Sequence, residues 1–148
     1  MKIAVIDGQG GGIGSNLVAK LREVLPQDVE IIALGTNAIA TSQMMKSGAA
    51  RGGSGENAIV STVPTVDVIA GPLGIIIANS MMGELTPKMA EAISSSSAVK
   101  VLLPLTICGV EVVGVAKEPL PNLIEKLVDR IKNMVYINRG KEKDELVL

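Results

Sequence analysis

A glycine-rich bend set between an apolar strand and an amphipathic helix constrains this chain more than any other stretch. Lys2 to Ile6 is a short apolar run closed by Asp7-Gly8, the pattern of a buried strand entering a tight turn. Ile13, Leu17, Leu21, Val24 and Leu25 then recur at helical spacing, with Lys20, Arg22 and Glu23 on the other side and Pro26 just beyond. Between the two lies Asp7-Gly8-Gln9-Gly10-Gly11-Gly12-Ile13-Gly14. Glycines let the chain turn sharply with positive φ and let a ligand approach the backbone without meeting a Cβ. The unpaired N–H groups at the start of the helix, helped by its dipole, favour an anion. In an open α/β sheet this bend falls in the crevice at the carboxyl ends of the strands, where ligands bind.

The remainder of the chain continues the alternation. Val29 to Leu34 is a second aliphatic run, stopped by Gly35-Thr36-Asn37, and Ile39, Ala40, Met44 and Met45 predict a helix ending near Gly48. Arg51-Gly52-Gly53-Ser54-Gly55-Glu56 reads as a loop, because its glycines break both periodicities. Asn57 to Val60 reads as a short helix or irregular segment, since too few residues separate it from the strand at Asp67 to Ala70 for a parallel crossover. Thr86-Pro87 starts a helix running to about Ser95, with a capping hydroxyl before a proline in the first turn. Val99 to Leu105 and Val110 to Ala116 read as strands joined by Thr106, Ile107, Cys108 and Gly109, a connection short enough to force an antiparallel hairpin. Leu120, Leu123, Ile124, Leu127, Val128, Ile131, Met134 and Val135 mark a final amphipathic helix, followed by a charged segment from Arg139 to Glu145 expected to be solvated or frayed. The expected fold is therefore α/β: a three-layer sandwich on a mostly parallel sheet with an antiparallel C-terminal hairpin strand. At 148 residues the chain fits one domain over residues 1–138 with a charged tail at 139–148.

Composition narrows the function. Tyr136 is the only aromatic residue, so the core must be aliphatic, as in sheets buried on both faces. Fourteen basic residues against fifteen acidic ones leave no basic field for nucleic acid, and there is no aromatic platform for stacking bases. The run between Asp67 and Glu84 holds Gly71, Pro72, Gly74 and Asn79 and is too short for a membrane span. The first residues meet a charge at Asp7, well before a signal-peptide core could form. One cysteine and no histidine exclude an internal disulfide and the usual zinc sites. A reducing, cytoplasmic setting is expected, and an apolar content of 47% predicts a surface facing another subunit, as in a homodimer.

The spacing Gly8, Gly12, Ile13, Gly14 gives Gly-x-x-x-Gly-Ile-Gly, which resembles the cofactor turn of the short-chain dehydrogenases. That resemblance covers the opening unit and implies Gly8, Gly12, Ile13 and Gly14 around a dinucleotide pyrophosphate. The chain departs from that family in having Asp7 before the first glycine and no Tyr-x-x-x-Lys pair, Tyr136 being followed four residues later by Gly140. An NAD site also expects an acid where the second strand ends, and here stand Gly35, Thr36 and Asn37, with Lys46 and Arg51 as the nearest cations downstream for a 2′-phosphate. Over nearly its full length, through AVIDGQGGGIG, ALGTNAIATS, GENAIV and GIIIANSMMGELTPKMAEAI, the chain is similar to a small uncharacterised bacterial family of Rossmann-like proteins. This second resemblance implies a fold and no activity.

The bend from Gly8 to Gly14 either holds a ligand phosphate or merely closes strand onto helix. Asp7 either coordinates a ligand or forms a turn with its own backbone. Thr36 and Asn37 either contact the ligand or cap the following helix. Gly71 and Pro72 should lie along the same edge, with Asn79, Ser80, Glu84 and Thr86 next as a second wall of the site; Asn79 and Ser80 are polar residues that must find partners inside an apolar stretch. Arg51, Ser54, Glu56 and Asn57 either close over a ligand or are solvated. Cys108 has no histidine to activate it and reads as a small core hydrophobe. Acid and base work would fall to Asp7, Glu56, Glu84, Lys46 or Lys88, with no paired nucleophile and base. The expected function is binding of a nucleotide or other phosphate-bearing metabolite, as a sensor or accessory protein. An NAD(P)-dependent oxidoreductase and a non-catalytic interaction module are the alternatives.

Overall fold

The computed structural model describes residues 1–105 and 109–147. Strands β1 (Lys2–Asp7), β2 (Glu30–Gly35), β3 (Arg51–Ser54), β4 (Val68–Pro72) and β5 (Val99–Leu103) form one sheet in the order β3-β2-β1-β4-β5. Every pairing is parallel. The helices between them are α1 (Gly12–Val24), α2 (Ala38–Lys46), α3 (Glu56–Thr62) and α4 (Pro87–Ser95), and α5 (Leu120–Val147) follows β5. Short 3₁₀ turns sit at Val63–Thr65 and Leu73–Ile76.

The continuous apolar strands have a direct cause. Along β1, Ile3 and Val5 enter a core with Leu17, Leu21, Leu127 and Ile131 from α1 and α5, while Ala4 and Ile6 enter a second core with Ile59, Ile93 and Leu85. β2 divides in the same way, Ile31 and Ala33 to one side, Ile32 and Leu34 to the other. A strand with both faces covered has no solvent side for a polar residue to occupy, so alternation disappears from the sequence. Burial of each large aliphatic side chain contributes about 1.5–3 kcal/mol before conformational entropy is subtracted. No aromatic ring stands among the residues of either core.

Two expectations are corrected. Residues 51–54, read as loop, form the edge strand β3, paired to β2 from Ile32↔Arg51 to Gly35↔Ser54. A ladder is made by backbone groups, and α2 packs so close that a Cβ at Gly52 would come within 2.8 Å of Thr41 Cγ2. Small residues here serve an approach of helix to strand, and leave no side-chain pattern to read. The antiparallel hairpin is absent among the described residues. After β5 comes Pro104, which has no N–H to continue a ladder, and residues 109–119 form no strand beyond an isolated bridge at Val110. Val113 is 97% exposed and Val112 and Val115 are exposed as well, so valine's strand preference finds no neighbouring surface to act on. Thr106, Ile107 and Cys108, including the core role expected for that cysteine, lie outside the described residues. The charged segment from Arg139 continues α5 to Val147, and Arg139 pairs with Asp28 at 2.6 Å.

The carboxyl end of β2 is closed by Thr41. Its Oγ accepts from the Gly35 N–H at 3.1 Å and from Ser54 Oγ at 2.7 Å, and its single proton is shared between the carbonyls of Asn37 and Gly53. Thr41→Val is expected to remove the hydroxyl that joins Gly35, Asn37, Gly53 and Ser54 and to lower stability by about 1–3 kcal/mol, whereas Thr41→Ser keeps most of it. Urea denaturation of the three proteins measures the difference.

Candidate functional site

The sheet order places the topological switch between β1 and β4: the crossover from β1 leads to β2 on one side, and β4 adds on the other. The bend after β1 opens at that point. Asp7, the last residue of β1, is buried and its carboxylate spans the bend: Oδ1 accepts from the Gly8 N–H at 2.8 Å and Oδ2 from the Gly14 N–H at 2.6 Å. Burial raises its pKa; the two amides, and less strongly the nearby Glu84 carboxylate, modify that shift, the amides downward and Glu84 upward. The Gly11 N–H donates to the Gly8 carbonyl at 2.9 Å, and Gly11 stands at φ +70 with Ala40 Cα 2.7 Å from where a Cβ would be. That residue must be glycine both for its backbone angle and for the crossing of α2.

Three amides of the bend have no partner among the described residues: those of Gly10, Gly12 and Ile13. Gly10 and Gly12 are exposed and Ile13 is partly so. They stand at the start of α1, a helix of 13 residues whose first turn holds no acidic side chain.

The Gln9 amide is engaged by a residue distant in sequence. Glu84 Oε1 accepts from the Gln9 N–H at 3.0 Å, from Thr36 Oγ at 2.7 Å and from Asn37 Nδ2 at 2.6 Å. The hydroxyl and amide donors, Thr36 first, hold its pKa below the usual carboxylate range. Asn37 also caps α2, accepting from the Ala40 N–H at 2.8 Å, and donates to the Gln9 carbonyl at 3.0 Å. Thus Thr36 and Asn37 stand beside the bend, and one of them caps the helix as well.

The other expected wall is arranged differently. Gly71 and Pro72 are the last two residues of β4, buried at its carboxyl end, and a Cβ on Gly71 would run into the Ile6 carbonyl oxygen. Ser80 is buried with its hydroxyl on the Gly74 carbonyl, and Asn79 is exposed at φ +65, its N–H on the Leu85 carbonyl. Both polar interruptions therefore serve the fold of their own loop. Arg51 pairs with Glu30, Ser54 with Thr41 and Glu56 with Thr86, so the segment read as able to close over a ligand is tied into β3 and α3. The sequence names Glu84 as a candidate without its contact to the Gln9, Thr36 and Asn37 donors, and gives no sign of Met81, whose sulfur lies 2.5 Å from where a Gly8 Cβ would stand. The one available signal was that Glu84 is the only charged residue from Val68 to Pro87.

The family model described as "Domain of unknown function (DUF3842)" matches residues 2–136. A search of curated proteins returns no match. Among solved structures the chain is similar to the dodecameric FMN-dependent UbiX-like decarboxylase of Escherichia coli O157:H7, with 15% identity, a TM-score of 0.45, and coverage of 91% of this chain and 94% of that one. No helix among the described residues is long and apolar enough to cross a membrane.

Two outcomes test this geometry. Gly11→Ala is expected to cost about 1–2 kcal/mol for the left-handed angle alone, plus the clash with Ala40. Gly12→Ala, with nothing within 4 Å of the added carbon, should be neutral or stabilising by about 0.5–1 kcal/mol; thermal denaturation separates the pair. For Glu84 the folded-state pKa lies below its ordinary value of 4.5, so its bonds add stability that is present above that value and lost as pH falls through the folded pKa. The stability difference between wild type and Glu84→Gln, followed by urea denaturation down the pH scale, should shrink below about pH 4.5.

Proposed function

Because this chain belongs to that family of unknown function, its own site is the premise, and we propose that it binds a small phosphate-bearing metabolite, a nucleotide included, with the phosphate on the open amides of Gly10, Gly12 and Ile13. The observation that carries this reading is that these three N–H groups, on exposed or partly exposed residues at the start of α1, have no protein partner among the described residues. Amides in such a position satisfy phosphate oxygens and add the favourable end of the helix dipole. Their location at the carboxyl edge, at the switch point of a parallel sheet, supports the same reading. Asp7 supports it indirectly, by holding the Gly8 and Gly14 amides itself and so fixing the shape of the bend. The reading assigns binding and no reaction, in keeping with a site where Asp7 and Glu84 are both engaged as hydrogen-bond acceptors.

The experiment is a thermal-shift panel of mononucleotides, NAD, NADP and sugar phosphates, with wild type and Gly12→Asp side by side. A ligand at 100 times its Kd stabilises by about 2.7 kcal/mol, which a domain of this size reports as several degrees. Gly12 begins α1 in open space, so an aspartate there fits and adds about 0.3–1 kcal/mol through the helix dipole while placing a negative charge where the phosphate would sit. The expected result is a folded variant with no ligand shift. A variant that folds and keeps the full shift puts the phosphate elsewhere.

A further inference from the structure

We propose that the segment from Ile77 to Thr86 is a displaceable latch, and that Gln9, Thr36 and Asn37 form an oxyanion subsite whose internal occupant, the Glu84 carboxylate, gives way to a phosphate oxygen of the ligand. The proposal rests on the phosphate reading of the glycine bend and extends it to a second contact and to the movement that admits the ligand.

Three donors of different kinds, a backbone N–H, a hydroxyl and a side-chain amide, converge within 3.0 Å on one oxygen, Glu84 Oε1, while Oε2 has no protein partner among the described residues. Convergence on a single oxygen from two separate loops is a recognition geometry for an oxyanion, and a carboxylate is one such group. The donors lie in or against the bend whose next amides, at Gly10, Gly12 and Ile13, are open. A phosphate bound there faces the Glu84 charge at close range, and like charges so placed oppose one another. Glu84 is only half-buried, so its carboxylate can turn out into water, which replaces its hydrogen bonds, and the three donors then serve a more highly charged group.

The segment that carries Glu84 is built to move at its tip and to stay at its ends. Asn79, Met81, Met82 and Gly83 all have left-handed φ, of 65°, 57°, 57° and 87°, a state that only glycine adopts freely. Met82 is 96% exposed and gains nothing from packing there. The ends are fixed: the Ser80 hydroxyl is on the Gly74 carbonyl, Leu85 is fully buried, and Thr86 caps α4. In the closed position Met81 lies over Gly8, so the Gly8 side of the bend is covered. Cavities of about 410, 530 and 590 Å³ open elsewhere on the molecule, and none is lined by a residue of the bend. An occupied site must be vacated before a ligand enters, and the apparent affinity falls by the fraction of molecules that are open.

The test uses the full chain with inorganic pyrophosphate as probe, following hydrogen exchange of residues 77–86 together with affinity. In wild type, pyrophosphate should make the amides of this segment exchange faster, the reverse of what a ligand that merely packs against the loop produces. Glu84→Ala should bind pyrophosphate tighter by about fivefold or more. Glu84→Gln, whose amide oxygen accepts from the same donors without charge, should fall between and serves in place of Glu84→Ala if that variant does not fold. Binding that leaves exchange unchanged or slower, or that is equal or weaker in the Glu84 variants, overturns the latch alone, since wild-type binding that Gly12→Asp abolishes leaves the phosphate reading standing. Absence of any thermal shift in wild type and in the Glu84 variants overturns both.

Discussion

The Asp7 carboxylate is the fastener on which the rest of this edge depends. By taking one amide from Gly8 and another from Gly14, it ties the end of the central strand to the first turn of the helix that follows. A buried charge is tolerated only when such partners compensate it, and the competition is visible in a pKa that burial raises and the two amides pull down. With those amides consumed inside the protein, the N–H groups of Gly10, Gly12 and Ile13 are left without a partner among the described residues. Polar satisfaction within the fold and polar availability at its surface are thus settled by one side chain.

A second carboxylate completes the arrangement from the other side of the switch point. Glu84 reaches the end of β2, where Thr36 and Asn37 hold it beside Gln9. The carboxyl edge therefore combines two helix starts, α1 and α2, with two acidic side chains of separate duties, one shaping the bend and one covering it. No lysine or arginine takes part in these hydrogen bonds; backbone amides, a hydroxyl and a carboxamide are the donors.

Much of the architecture was legible because burial leaves marks on side chains. β1, β2 and β4 are aliphatic runs since both of their faces are covered, and α1 and α5 show helical spacing since only one of theirs is. β3 left no mark, because its pairing is a backbone matter and glycine at positions 52 and 53 suits the close approach of α2. The valines after β5 give the opposite error: a strand-forming composition in an exposed segment with no neighbouring surface to pair with. At the site, the glycine bend and the turn at Thr36 and Asn37 were readable as neighbours through the order of strands. The link between Asn37 and Glu84 joins residues 47 apart in the chain and depends on loop conformation that periodicity does not encode. Gly71 and Pro72 are placed at the carboxyl edge by their position after an aliphatic run, and β4 ends on them.

The wholly aliphatic interior has an optical and magnetic side. The cores contain no ring, and Tyr136, the only aromatic residue, is half exposed on α5, so near-ultraviolet absorption and fluorescence report on that helix and hardly on the sheet. Methyl groups in the cores likewise sit beyond the reach of ring currents. Their chemical-shift dispersion must come from backbone geometry and rotamer state, which makes this fold one in which methyl spectra read conformation with little aromatic distortion.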